Sequence, residues 1–526
     1  MAQATGAASM AGNISHAQTG EPVRRATVTL WPVAQGGRGD TGAGATQMGP
    51  PVAAYSATTD AEGKYRLDKI DPGTYRLAVE RQGFLRQEYG GRTLSTMGTP
   101  LHVAAGQEVK DINLKLVPHA IVAGRVLDEE GEPVARAQVQ VLRKRFVQGK
   151  QQMLPLSGGM TLDTGEFRLA ELPPGRYWIS AVYRGSGVFG QEAARNTDGK
   201  PEESYVPTYY PNSADEAGAR MVEVGPGQQL TGMDIRLRKA RTYRVRGKVT
   251  SGGQNLRVML TPRDRMMGYM GGAMAMVKPD GTFEIAGVTP GSYTAMAMPN
   301  SAGRASVEVV REDVEGVVLT LGNEYTVRGT VRTEGDQRLA VKGARIQLAP
   351  MNGIAFQVPH TTANEDGTFT MQKASADKFR VMVFGGPAGT WLKSVRAGEV
   401  DVLENGLDLT ADTELEVVLG VGVGTVNGVV RDNKQNLAAG GVVLMVPEPF
   451  QAKRYERIRT AAPDTSGRFT LPGVIPGEYK IYSWEDADIG AAMDPAILKE
   501  QEGLAKRVTV KADGQVEVAL TQGASL

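Results

Sequence analysis

Histidines, carboxylates, thioethers and aromatic rings are the side chains in this chain that have chemistry to offer, and their spacing decides whether any of it can be used. The four histidines are His16, His102, His119 and His360, and none has a Glu or His three or four residues away. Such pairs place two zinc ligands, or a ligand and a base, on one helix face, so a zinc hydrolase is not expected. The chain has no cysteine, which removes disulfides, thiolate metal sites and thiol nucleophiles. Neither a Gly-x-Ser-x-Gly elbow nor a phosphate-cradling glycine loop is present. Carboxylates are plentiful but sit in turns, so an acid pair would have to assemble from distant residues. The chain is read as non-catalytic, and no cofactor is expected.

Four smaller constellations remain. Met266, Met267, Met270, Met274 and Met276 share one loop; thioethers suit Cu(I), but such a cluster equally makes an adaptable apolar loop that packs on a neighbour, and the second reading is preferred. Arg38-Gly39-Asp40 spells an adhesion tripeptide inside a Gly-rich stretch, where chance supplies it readily. Glu485, Asp486 and Asp488 lack the glycine and distal Glu of a calcium loop, and Asp494-Pro495 just beyond them is a helix start. The insertion from Gly185 to Ala219 holds Tyr205, Tyr209 and Tyr210, with Trp178 and Tyr183 on the strand before it. Their flat faces suit the C–H surface of a sugar or a protein interface; packed inward, the same rings would cover the end of a sandwich or wedge two modules together. These five residues are the candidate ligand-binding set.

The elements that must position them follow from a repeated phrase. DAEGKYRLDKIDPGTYRL from Asp60 returns as TLDTGEFRLAELPPGRYWI from Thr161, KPDGTFEIAGVTPGSYTA from Lys278, NEDGTFTMQKASADKFRV from Asn364 and PDTSGRFTLPGVIPGEYKI from Pro463. An Asp or Asn with a nearby Gly is turn chemistry, the carboxylate accepting backbone N–H groups and Gly supplying positive φ. Tyr65 and Leu67, like Phe167 and Leu169 or Phe283 and Ile285, then alternate with polar residues, which reads as a half-buried strand. Pro72-Gly73, Pro174-Gly175, Pro290-Gly291 and Pro476-Gly477 suit the centre of a type II turn, with Tyr75, Tyr177, Tyr293 and Tyr479 opening a returning strand. A hairpin is therefore expected, looser in the fourth copy, where Ala376-Asp377 replaces Pro-Gly.

With a Gly-Glu-Pro turn upstream and a Gly-Gln turn downstream, each copy gives about seven short strands, the pattern of an antiparallel β-sandwich. The expected division is a flexible N-terminus at 1–10 and modules at 11–118, 119–240, 241–322, 323–420 and 421–526. Modules of roughly a hundred residues match ordinary domain size. A formal net charge of +1 removes the usual electrostatic argument for nucleic acid. No apolar run is long enough to span a bilayer, and MAQATGAASMAGN lacks the apolar core of a signal peptide.

The phrase DxxGxFxLxxLxPGxY, preceded by GxVxDxxGxPVxxAxVxL, resembles the carboxypeptidase regulatory-like domain. Module two carries the resemblance through Gly124, Val126, Gly131, Pro133, Val134, Ala137, Gly165, Phe167, Pro174, Gly175 and Tyr177. The resemblance implies an all-β chain, a tandem array of seven-stranded sandwiches of the Ig-like or transthyretin (prealbumin)-like kind, grouped with carbohydrate-binding-like and CnaB-like folds. It also implies an extracellular, periplasmic or outer-surface address, and no peptidase activity, since the catalytic domain is missing. CnaB-like relatives carry Lys–Asn isopeptide bonds; of the first strands only GKVT offers a lysine, Lys248, and no such bond is expected. The leading expectation is a non-catalytic exported binding protein with a glycan or surface protein as partner. The alternatives are a self-associating adhesive stalk and an accessory to a separate enzyme or transporter.

Overall fold

The computed structural model describes residues 7–33, 54–91, 97–147, 150–183, 202–250, 256–263, 273–298, 303–335, 339–351, 358–451 and 454–526. Buried apolar side chains gather between Ala8 and Leu116, Ala120 and Leu237, Tyr243 and Leu319, Val327 and Leu419, and Val426 and Leu520. The stretches that carry these cores are called modules one to five.

All five pair their first strand in the same way. In module one the strand Ala8–His16 lies antiparallel to Lys64–Ile70 and parallel to Glu108–Val109 and Leu114–Leu116. The facing sheet is ordered Tyr55–Thr58, Thr27–Pro32, Gly73–Glu80, Gln87–Glu88. First strands Ala120–Leu127, Tyr243–Thr250, Glu324–Thr333 and Gly424–Arg431 repeat the arrangement, each antiparallel to the strand of the repeated phrase and parallel to a strand late in its module. Alternation of apolar and polar residues directs one face of every sheet into the core between them.

The Asp turns form as the sequence suggests: Asp60 Oδ1 accepts from the amides of Glu62 and Lys64 at 3.0 and 2.8 Å, and Asp464 Oδ1 from those of Ser466 and Arg468 at 2.8 and 2.9 Å. Gly165 takes φ +72°, and a side chain there would stand 2.8 Å from the Val126 carbonyl oxygen. In the first strand of module three, a side chain at Gly247 would come within 2.7 Å of the Phe283 ring.

The expected hairpin is corrected. The two strands of the phrase belong to different sheets: Glu166–Leu172 pairs with Ala120–Leu127, whereas Gly175–Val182 pairs with Gln138–Val147. Nor is Pro-Gly a type II centre, which needs φ near +80°, since Gly175, Gly291 and Gly477 have φ of 157°, 157° and 155°. The left-handed residues come earlier, at Lys69, Glu171, Gly287, Lys373 and Gly473, where the register against the first strand slips in every module. This is a β-bulge, and it bends the strand out of its sheet. The bulge also breaks the alternation, so Tyr65, Leu67 and Ile70 are all buried. The recurring tyrosine fastens the crossing: the phenols of Tyr75, Tyr177, Tyr293 and Tyr479 donate to the carbonyls of Asp71, Pro173, Thr289 and Ile475 at 2.9, 2.6, 2.9 and 2.6 Å. Module four makes the same crossing with Phe379, which is buried but has no hydroxyl.

In module five, Asp494 caps the helix Pro495–Glu500 by accepting from the Ala496 amide at 2.8 Å. Asp488, considered above for calcium, caps Ile489–Ala492 in the same way. Leu498 and Ala492 are buried with Tyr482 and Trp484. No helix among the described residues is long and apolar enough to cross a membrane.

Candidate functional site

The insertion of module two does more than cover the sandwich. Glu203–Val206 pairs antiparallel with Arg238–Arg241, the segment leading into module three, with Tyr205 opposite Lys239 and Val206 opposite Arg238. This two-stranded ribbon is separate from both sandwich sheets. After Pro207 the chain enters the second sheet, where Thr208 and Tyr209 lie opposite Ala181 and Ser180. Tyr209 and Ser213 then exchange backbone hydrogen bonds at 2.6 and 2.9 Å, and the Pro211 carbonyl accepts from the Arg236 amide at 3.0 Å. These bonds hold the strip Ile235–Arg241 against the insertion.

The aromatic set divides. Tyr209 is 2% exposed and packs with Leu142 and Trp178. Trp178 is half-buried, with Lys144 Nζ 5.1 Å from its ring centroid. Tyr183 and Tyr205 meet edge to face at 5.8 Å, and Lys239 Nζ lies 4.9 Å from the centre of the Tyr205 ring. Tyr183, Tyr205 and Tyr210 pack on the edge of the module core. Cation–π and ring–ring contacts of this kind are worth about 0.5–1.5 kcal/mol each. The rings thus fall into two groups, Trp178 with Tyr209 and Tyr183 with Tyr205 and Tyr210 on the module core, and Trp178 and Tyr205 each lie under a lysine of the protein itself.

Beside the Tyr205–Lys239 contact lies a cleft of about 410 Å³ lined by Glu129, Asn212, Arg236, Leu237, Arg238 and Lys239. Leu237 is 1% exposed and belongs to the core, so alternation turns Arg236 and Arg238 together to the other side of the strip, where both are exposed. Lys239 pairs with Glu129. That hydrogen bond raises the Lys239 ammonium above its ordinary value and lowers the Glu129 carboxyl. Burial, then the hydrogen bond to Glu129, raise the Tyr205 phenol. The Arg238 amide donates to Thr208 Oγ1 at 3.1 Å, but among the described residues neither the Arg236 nor the Arg238 guanidinium has an ion-pair or hydrogen-bond partner. In a chain of net charge +1, three cations around one carboxylate make this a local positive site.

These lining residues escaped the sequence reading, although Ile235-Arg-Leu-Arg-Lys, whose alternation begins in the last strand of module two and runs on past it, carried the signal. A second cleft, about 510 Å³, lies in module five among Phe450, Lys480, Leu498 and Glu502. Its charges compensate one another: Lys480 reaches Glu448 and Glu502 at 3.2 and 2.9 Å, and Arg507 reaches the same two at 2.9 and 3.2 Å.

The ribbon also ties module two to module three. Arg244, 5% exposed, pairs with Glu202 of the insertion and Glu284 of module three. Arg246 Nε meets Glu284 at 2.7 Å, and Asp313 Oδ1 accepts from the Arg244 amide at 2.9 Å. Burial works to raise the Glu284 carboxyl, but hydrogen bonds and charge from Arg246 and Arg244 outweigh it and hold it below its ordinary value. Of the methionines, Met276 is exposed and its sulfur accepts from Arg257 Nε at 3.3 Å. Met274 is half-buried beside it. Met266, Met267 and Met270, like Arg38-Gly39-Asp40, lie outside the described residues. Lys248 is exposed. Among the described residues no three of His, Asp and Glu converge as metal ligands.

No curated protein sequence matches the chain. Solved structures similar to it include the Bacillus anthracis TIE protein, at 9% identity and TM-score 0.17, covering 76% of this chain and 73% of that one. A streptococcal ancillary pilin is 11% identical at TM-score 0.21, covering 53% and 99%, and the full-length major pilin RrgB from Streptococcus pneumoniae is 10% identical at TM-score 0.16, covering 99% and 100%. The model of the carboxypeptidase regulatory-like domain matches residues 9–117 and 121–207. Modules one and two are thus similar to the carboxypeptidase regulatory-like domain.

Proposed function

We propose that this chain is a non-catalytic, exported surface protein whose sandwich modules are a scaffold and whose second module binds a carbohydrate ligand. One observation carries the reading. The insertion of module two is built into a ribbon with the strip that leads to module three, and the two together wall a cleft with uncommitted polar groups. Conserving a rigid sandwich while varying one loop is how modular folds acquire ligands. Every recurring position of the repeated phrase, by contrast, has a turn, bulge or core task, so the repeats supply support for the site. The expected export and surface address fit such a role.

The reading is tested by incubating the full chain with an immobilised panel of neutral and acidic glycans. Retention of at least one glycan class is expected, displaced by the same glycan in solution. Retention of none would overturn the carbohydrate assignment.

A further inference from the structure

Arg236 and Arg238 pose a question that the scaffold does not answer. Guanidinium groups are planar forks suited to carboxylate, sulfate or phosphate oxygens, and folded chains pair them where they can. Elsewhere at this junction they are paired: Arg244 with Glu202 and Glu284, and Arg246 with Glu284, Asp313 and Glu315. In the cleft the one carboxylate, Glu129, is already taken by Lys239. Lys239 is in turn held over Tyr205, so the ring that would stack on a neutral sugar has a cation in front of it.

We infer that the cleft of module two binds an oxyanion borne by an acidic polysaccharide, with Arg236 and Arg238 as the two forks that grip it. The inference rests on the carbohydrate reading above and names its ligand class. Two arginines two residues apart on an extended strip have their Cα atoms roughly 6.6 Å apart, so their forks converge on one anionic group or bridge two neighbouring ones. Asn212, brought in by the insertion, adds an amide able to donate to or accept from a sugar hydroxyl. Glu129 and Tyr205 act as positioning residues, holding Lys239 at the rim as a third cation. Leu237 anchors the strip in the core, which keeps the arginines from collapsing onto the sandwich.

The test is isothermal titration of the full chain with polygalacturonate, heparin and dextran, which offer carboxylates, sulfates and no charge. Binding of at least one acidic polymer, weakened by added salt, and no binding of dextran are expected. Arg236→Ala and Arg238→Ala should each weaken binding about tenfold, the loss of one charge-assisted fork. Arg→Lys at both positions should restore it only in part, because an ammonium keeps the charge but not the fork. Unchanged melting of the variants shows that the scaffold is intact. Preference between polygalacturonate and heparin identifies the oxyanion. Acidic-polymer binding that survives the double alanine variant would overturn the assignment to this cleft while leaving carbohydrate binding standing. Dextran bound as tightly as the acidic polymers would overturn the charge requirement alone. Failure of all three polymers to bind would overturn the inference, while the carbohydrate reading beneath it falls only if the glycan panel is also empty.

Discussion

At the scale of single residues, the same side chain type does opposite work in neighbouring places. Tyr177 is a fastener: it is buried, its phenol is raised chiefly by that burial, and its hydroxyl donates to the Pro173 carbonyl at 2.6 Å. Tyr177→Phe removes that donor and leaves the carbonyl short of a partner, which should cost about 1 kcal/mol. The crossing itself should survive, because module four makes it with Phe379. Chemical denaturation of the full chain, followed by exchange protection in module two, measures this; a loss well above that size would mean that the phenol holds the crossing in place. The recurrence of Tyr after Pro-Gly was plain in the sequence, but its task was not. A side chain that bonds to the carbonyl four residues back looks in one dimension like one that merely opens a strand. Tyr205 and Trp178 illustrate the converse limit, since Lys239 and Lys144 lie 34 residues away in each case, and nothing local marks the rings as covered.

At the scale of strands, alternation told where strands are but not which sheet they join. Glu166–Leu172 and Gly175–Val182 have the pattern of a hairpin, and only the bulge at Glu171 sends them to different sheets. A register slip changes no composition and leaves the periodicity nearly intact, so it was beyond a reading of residue types. The long edge strand Lys150–Met160 gives the element-scale prediction. Among the described residues it pairs on one side only, with Gln138–Val147, and Met160 and Leu162 at its end are 60% and 64% exposed. Such an edge invites strand addition from a second chain. Pro155 stands in it beside a register slip, and both a missing N–H and a bulge blunt an edge. Pro155→Thr should therefore promote concentration-dependent self-association, read by light scattering on size-fractionated protein. A variant as monodisperse as the parent at high concentration would show that this proline guards nothing.

At the scale of the whole molecule, five separate cores would lead one to expect five separate unfolding events, with no single stability for the chain. The junction of modules two and three departs from that expectation. The ribbon of Glu203–Val206 with Arg238–Arg241 crosses it, and Arg244 beneath it pairs with Glu202 from one side and Glu284 from the other. A guanidinium that is 6% exposed cannot lose a partner cheaply, because the charge that remains is poorly solvated. These two modules should open together in hydrogen exchange, and Glu202→Gln should separate them, lowering the stability of the pair by about 1–3 kcal/mol. The module-three side of this junction should also be acid-sensitive. Because the folded-state value of the Glu284 carboxyl is held below its ordinary value of about 4.3, its contribution is complete above that pH and is lost as pH falls through the lower folded value. Exchange at neutral pH and again after a brief acid pulse should thus show the strand Tyr243–Thr250, which carries Arg244 and Arg246, losing protection in acid before the core of module three opens. Independent exchange of the two modules in the parent protein at neutral pH would refute the coupling. It would also remove the rigidity that the strip Ile235–Arg241 needs to present its two arginines on one face.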